Sequence, residues 1–210
     1  MSVGLSRLPR HVVLDDFLDQ SQHLALLSNA LGSEDSFVAT QIGGADVITH
    51  NPGFRRSWRS TRFGGEVKAL LRAAVVRRFD EIREQVGVPV FEPERIELEL
   101  AAHRDGSFYR PHVDTATGES QEADGRDRMV TMVYYFHRQP RRFSGGEIAL
   151  YPFVPGAEPV LIEPADNRLI AFPSLAIHEV RPVSCPGDAW ADARFAVNIW
   201  FSRQRSPEHS

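Results

Sequence analysis

Apolar and polar positions change rhythm once along this chain, near residue 94. Before that point the spacing is helical. Leu18, Leu24, Leu27 and Leu31 recur about one turn apart, behind a short apolar run from His11 to Asp15 that reads as a strand, and Gly32 supplies a stop. A longer helix is predicted from about Glu66 to Val86. Val67, Leu70, Leu71, Ala74, Val75, Phe79, Ile82 and Val86 form its one apolar stripe, with Lys68, Arg72, Arg77, Arg83 and Glu84 outside it. A single stripe means that the helix covers something, such as one face of a sheet. Between the two, Phe37 to Ile42 reads as a strand and Gly43 to Pro52 as a loop rich in Gly, Asn and Asp.

From Glu94 onward the grammar is that of strands. Ile96, Leu98 and Leu100 alternate with Glu97 and Glu99, which predicts a half-buried strand ending near His103. Phe108 to Asp114 follows a turn, and Met129 to Phe136 reads as a strand buried on both faces. Gly146–Tyr151, Val160–Ile162, Arg168–Phe172, Ile177–Val183 and Phe195–Phe201 complete the set, each bounded by Pro, Gly or Asp. Short strands at such spacing, after helices, predict a mainly β fold of the jelly-roll kind. The expected organisation is a single domain over 1–210, with helical support over about 1–93 and a β-core over about 94–202. Thr115 to Asp127 is polar and aperiodic and is expected to act as a mobile lid.

Composition narrows the function classes. A formal charge of −4 argues against general nucleic-acid affinity. The cluster Arg55, Arg56, Arg59 and Arg62 reads either as a solvated face or as a patch steering an acidic substrate. Cys185 is the only cysteine, which favours a reducing compartment, and no apolar stretch reaches membrane-spanning length. The expectation is a cytoplasmic protein without membrane association; nothing in the sequence sets its oligomeric state.

The candidate chemistry begins at Pro111-His112-Val113-Asp114. In a strand, a His-x-Asp tripeptide turns both side chains to one face. Alone it is equally the residue pattern of an ion pair at a turn. A second imidazole, His178, comes 66 residues later. Two histidines and one carboxylate on one side of a metal are the usual cradle for non-haem Fe(II) in oxygenases. His11, His23, His50, His103 and His137 read as surface or loop histidines. Ser174 lies near His178, but no nucleophile elbow surrounds it.

The order of parts resembles the prolyl 4-hydroxylase branch of the Fe(II)/2-oxoglutarate-dependent dioxygenases. The motifs are Tyr109-x-x-His112-x-Asp114, the strand Val133-x-Tyr135, Gly145-Gly146-Glu147, His178-Glu179-Val180-x-Pro182-Val183 and Arg194-Phe-Ala-Val-Asn198-Ile-Trp200. The resemblance covers about residues 94–202. It implies a double-stranded β-helix with supporting helices, and it makes His112, Asp114 and His178 the iron ligands. It also implies 2-oxoglutarate and O2 as cosubstrates, with ascorbate as a supporting reductant. The far carboxylate of 2-oxoglutarate needs a buried counter-ion, and a planar, permanently charged guanidinium suits it. Arg194 is that candidate because it opens an otherwise apolar strand. Arg181 is the competitor, expected to face away from the metal. Tyr135 and Thr131 correspond to hydroxyls lining the cosubstrate pocket. Tyr109 is either a packing residue or a cosubstrate contact, and Asn198 bonds either cosubstrate or backbone. Val197 and Trp200 are expected to pack together, Trp200 on the barrel floor, with Arg194, Ala196 and Asn198 on the other face.

Arg194 follows His178 at a longer interval than in the family. The insert from Ser184 to Trp190 reads as a longer hairpin that leaves both strands intact. Because Asp114 is present, hydroxylation rather than halogenation is the expected reaction. The implied function is hydroxylation of an unactivated C–H bond, with a prolyl residue of a protein or peptide as substrate. A free amino acid or natural-product intermediate is the alternative substrate, and a non-catalytic cupin-like metal or small-molecule sensor the alternative of another class.

Overall fold

The strand-forming runs pair into two antiparallel sheets that face one another, with two helices on the outer face of the larger. The computed structural model describes residues 8–40, 53–115, 125–154 and 156–205. In chain order the strands are β1 (Val12–Leu14), β2 (Phe37–Ala39), β3 (Arg55–Arg56), β4 (Trp58–Ser60), β5 (Arg95–His103), β6 (Phe108–His112) and β7 (Arg126–Phe136). Then come β8 (Ser144–Gly145), β9 (Ile148–Leu150), β10 (Val160–Ile162), β11 (Arg168–Pro173), β12 (His178–Val180), β13 (Val183–Ser184) and β14 (Arg194–Gln204). The larger sheet runs β1-β11-β7-β14-β5-β4-β2, and the smaller runs β10-β9-β12-β6-β3. This is a double-stranded β-helix. Among the described residues no helix is long and apolar enough to cross a membrane.

Period-two alternation sorts the large sheet into two cores. Met132, Tyr134 and Phe136 of β7 and Phe195, Val197, Ile199 and Phe201 of β14 face the helices. Val133 and Tyr135 of β7, Ile170 and Phe172 of β11 and Ala196 of β14 face the smaller sheet, meeting Ile148, Leu150 and Ile162. In β5, however, the inner positions are those that a half-buried reading assigns to solvent. Glu97 and Glu99 of β5 are the clearest case: their side chains are only 23% and 28% exposed, and both sit on the inner side of the sheet.

Helix α1 (Gln20–Leu31) starts where the Asp19 carboxylate accepts from the Gln22 N–H (2.9 Å) and ends at Gly32. Its phase differs from the leucine pattern: His23, Leu26 and Ala30 are buried, and Leu24 is exposed. His23 is not a surface histidine, because it bridges the Tyr134 hydroxyl (2.8 Å) and the Asp166 carboxylate (3.2 Å). His137 is buried too, with its ring edge-on to Phe143. Helix α2 (Gly65–Gln85) buries Leu71, Val75, Phe79 and Ile82 as the stripe requires. Arg83, expected outside, is buried and donates to the Val88 carbonyl (2.8 Å), closing the helix end.

In the arginine-rich run β3 and β4 pair with β6 and β5; Arg56, Arg59 and Arg62 are exposed, as a solvated face requires, and Arg55 is not. The Ile177–Val183 strand is interrupted. β12 ends at Val180, and β13 pairs with β8 in a separate two-stranded piece. The insert between β12 and β14 is docked rather than a free hairpin. Arg104 holds Asp188 (3.0 Å), the Cys185 N–H donates to Asp105 (2.7 Å), and the Trp190 indole N–H donates to the Ala30 carbonyl (3.1 Å). Strand β14 keeps its register with β5 and β7 throughout that excursion, apart from one bulge at Phe201/Ser202. The expected loop at 43–52 and most of the expected lid, 116–124, lie outside the described residues.

Candidate active site

Two histidines meet because β6 and β12 are antiparallel neighbours in which His112 and His178 are directly opposed. Their ring centroids lie 4.2 Å apart. Asp114 follows two residues after His112, just past the end of β6, where its N–H donates to the Ser174 carbonyl (2.9 Å). This turn carries the carboxylate back over the imidazoles: Oδ1 is 3.6 Å from His112 Nε2 and Oδ2 is 3.5 Å from His178 Nε2. One ligand atom from each of the three residues falls within 4.8 Å of the others.

Backbone contacts fix the tautomers. His112 Nδ1 lies 2.7 Å from the Arg110 carbonyl and His178 Nδ1 lies 2.9 Å from the Ala176 carbonyl. A carbonyl only accepts, so each Nδ1 carries a proton, and each Nε2, on the Asp114 side, is the nitrogen left to meet a metal. Tyr109 stacks on the His112 ring at 3.5 Å between centroids and holds its plane. Burial, then the neighbouring His178, hold His112 down at about 4, so it is neutral at pH 7. Burial alone would push the Asp114 carboxyl up; the two imidazoles, with Trp200 and Thr131, outweigh that and keep it below the usual carboxylate range. Two imidazole nitrogens and one carboxylate are the donor set that a divalent first-row metal takes.

Thr131, expected at the cosubstrate pocket, stands behind the carboxylate instead. Its hydroxyl donates to Asp114 Oδ2 (2.8 Å) and contacts the Ser174 hydroxyl (2.9 Å), and it does not line the cavity. Ser174, fully buried, is thus a support for Asp114 through both its carbonyl and its hydroxyl. Second partners of this kind orient a metal ligand, and their loss costs about 10–100-fold in metal affinity. Thr131→Val, which keeps the side-chain shape, is expected to weaken Fe(II) binding by about that factor. Anaerobic metal titration measures it, and an unchanged affinity would show that the hydroxyl does not position Asp114.

The three ligand atoms face a cavity of about 180 Å3 between the sheets. Arg194 closes its inner end and is 1% exposed. Nη1 donates to His103 Nδ1 (2.9 Å), and the guanidinium lies over the Tyr135 ring (4.6 Å). Gly146 makes room for it: at φ 75°, a Cβ there would meet Arg194 Cδ at 2.8 Å. Arg194 forms no ion pair with a carboxylate among the described residues, and its Nε and the buried Tyr135 hydroxyl have no hydrogen-bond partner. Burial of the guanidinium, the largest influence, lowers its pKa. An isolated buried cation beside an orphaned hydroxyl is costly unless an anion joins them. Arg181, by contrast, is 42% exposed at its side chain and pairs with Glu179 (2.8 Å).

His103 was read as a surface histidine and is a wall of this cavity, 5% exposed. Burial, then the charges of Arg194 and Arg55, hold its pKa well below the ordinary value, so it meets Arg194 as a neutral acceptor. The signal was present in the parity of β5: with Ile96, Leu98 and Leu100 outward, His103 falls on the inner face with Glu97 and Glu99. Trp200 is likewise displaced from expectation. It shares the inner face with Arg194, Ala196 and Asn198, lines the cavity half-buried, and carries Arg128 over its ring at 4.0 Å. Asn198 lines the cavity. Arg55 is no solvated arginine, since it lies over Tyr109 (4.7 Å) and pairs with Glu99 (3.3 Å) at the cavity wall.

A jelly roll that turns two histidines and one carboxylate inward, next to a buried guanidinium, has the design of a mononuclear non-haem iron oxygenase. Residues 98–202 match the 2OG-Fe(II) oxygenase superfamily, and the chain belongs to it. Over 201 residues it is 29% identical to an uncharacterized PKHD-type hydroxylase of Synechocystis sp., a match covering 91% of this chain and 62% of that one. Its fold is similar to a prolyl hydroxylase of Trichoplax adhaerens solved with a hypoxia inducible factor oxygen degradation domain peptide fragment: TM-score 0.67, 22% identity, 92% of this chain and 83% of that one. It is also similar to a Pseudomonas putida prolyl-4-hydroxylase, with TM-score 0.64, 23% identity, 92% of this chain and 93% of that one. The fold is thus shared with the prolyl hydroxylase branch. Fe(II), 2-oxoglutarate and O2 are the cofactor and cosubstrates of that superfamily.

Proposed function

We propose that this chain hydroxylates an unactivated C–H bond of a prolyl residue in a peptide or protein. The observation that carries the reading is the isolated, fully buried Arg194 in the same cavity as the clustered His112, Asp114 and His178. His112, Asp114 and His178 would hold Fe(II), and Arg194 with the Tyr135 hydroxyl would hold the far carboxylate of 2-oxoglutarate. When bound, iron with 2-oxoglutarate and O2 supplies an oxidative decarboxylation to succinate and CO2 that leaves one oxygen atom for the substrate.

The chain's own residues account for the rest. Arg194 neutralises the cosubstrate's distal charge from a fully buried position, and His103 holds the guanidinium by accepting one of its N–H groups. Tyr109 fixes the plane of His112, while Thr131 and Ser174 aim Asp114. Arg55, Glu99, Arg128 and Trp200 also line the cavity, and Glu99, Arg128 and Trp200 border a neighbouring depression too. That two structurally similar proteins are prolyl hydroxylases supports the prolyl substrate. A free amino acid is the second reading, favoured by the Arg55–Glu99 pair, which offers both charges that a zwitterion needs.

A substrate panel decides. With Fe(II), 2-oxoglutarate and O2, prolyl peptides are expected to gain one oxygen atom by mass spectrometry in step with succinate release. Products found only among free amino acids would select the second reading. Absence of succinate under every condition would leave a metal-binding sensor.

A further inference from the structure

A polar depression of about 430 Å3 adjoins the catalytic cavity, and the two share Glu99, Arg128 and Trp200 as a common wall. Its side is the flank of β5. β4 pairs with β5 only at Ala101 and Ala102, so among the described residues no strand covers Arg95–Leu100 on that flank. The opposite flank is taken by β14 along the whole of β5. Residues of both parities border the depression, Ile96 and Leu98 together with Glu97 and Glu99. It therefore follows the edge of the strand rather than one of its faces. A bare edge offers backbone donors and acceptors to any extended chain laid beside it.

Charge narrows which chain that is. Arg59, Lys68, Arg95 and Arg128 border the depression against two carboxylates, Glu97 and Glu99. Arg95 and Arg128 share Glu97, at 3.4 and 3.2 Å, and Arg55 already engages Glu99 at 3.3 Å. Arg59 and Lys68 make no ion pair among the described residues. This positive surplus stands on a chain with a formal charge of −4, so it is local rather than a general basicity. Phe63 adds an apolar floor beneath Lys68 (5.6 Å).

We propose that this depression is the docking strip for an acidic, extended stretch of the polypeptide substrate, flanking the residue that enters the cavity. The proposal rests on the hydroxylase reading given above. The substrate chain lies along the flank of β5 that no described strand covers, with its carboxylates toward Arg59 and Lys68. It then crosses the wall of Glu99, Arg128 and Trp200 to bring its target residue to the metal centre. Nucleic acid is the poorer occupant, because its phosphates would run past Glu97 and Glu99 and it has no backbone amides to pair with the strand edge.

The test uses fluorescent prolyl peptides of one length, flanked by Asp/Glu, by Ser/Gln or by Lys, bound to the full chain with Fe(II) and 2-oxoglutarate under nitrogen. Acidic flanks are expected to bind at least about tenfold tighter than neutral ones at low salt, with the difference shrinking as salt screens it. The Arg59→Glu/Lys68→Glu double variant, checked for folding by circular dichroism, is expected to lose that preference and to retain neutral-peptide binding. Equal binding of acidic and neutral peptides overturns the proposal, as does a preference that survives in the double variant. A single-stranded oligonucleotide that binds as tightly as the acidic peptide also overturns it. Uncoupled succinate release by the wild-type protein is measured alongside. Release without any acidic preference sinks the docking strip alone, and no release sinks the hydroxylase reading beneath it.

Discussion

Arg194→Ala is expected to raise the 2-oxoglutarate concentration needed for half-maximal succinate release at least a hundredfold, while Arg181→Ala changes it less than about fivefold. The two arginines have opposite surroundings. Arg194 is buried at the cavity's inner end with Nε unbonded, beside the unbonded Tyr135 hydroxyl. Arg181 lies beyond β12, 42% exposed at its side chain, and is already paired with Glu179. Removing one member of a buried charge pair costs about 3–5 kcal/mol, which is roughly two to three and a half decades of affinity. Arg181, open to solvent and already paired with Glu179, does not line the cavity. The measurement is succinate release against 2-oxoglutarate at saturating iron. If Arg181→Ala were the crippled variant, the cosubstrate would have to lie across the outer face of the smaller sheet, and the cavity reading would fail.

How much of this was legible in the sequence depends on which partner each residue needed. The β-core was legible because its strands carry period-two or fully apolar patterns of their own, and α2 because its stripe is long. What failed was phase and partner choice. In α1 the leucines advertised one face, yet His23 is buried because Tyr134 and Asp166, far away in sequence, give its ring nitrogens partners. In β14 the apolar run hid which residues faced inward. Trp200, expected to pack with Val197, is on the opposite face, since residues three apart in a strand diverge. Placing Trp200 with Arg194, as its even spacing demands, would have put it at the cavity.

Polar residues inside the barrel were the hardest to read. His103 and Arg55 look like solvent-facing groups until the cross-strand registers are known, His103 opposite Arg194 and Arg55 opposite Tyr109. Those registers are non-local. Thr131 shows the converse difficulty: its place on the inner face of β7 was readable, but only the turn after β6 decides that Asp114 captures its hydroxyl. The long interval between His178 and Arg194 proved compatible with an unbroken β14 because the insert is held elsewhere, by Arg104, Asp105 and α1.

His112→Ala and His178→Ala are each expected to abolish turnover and to weaken Fe(II) binding by well over about a hundredfold. The bound follows from the neighbours: losing a hydrogen bond that merely orients a ligand costs about 10–100-fold, so losing the ligand atom itself must exceed what Thr131→Val does. Asp114→Gly is expected to abolish hydroxylation as well, because it removes the only anionic donor of the three. The fold should survive each change. The strands that carry the imidazoles are held by backbone pairing to each other, to β3 and to β9. Far-ultraviolet circular dichroism checks that point. Anaerobic titration with Fe(II), and with Co(II) for its visible spectrum, then reads the metal site directly, without requiring a known substrate. A histidine variant that binds iron as tightly as the wild type would mean that His112, Asp114 and His178 are a buried ion-pair cluster and that the metal sits elsewhere.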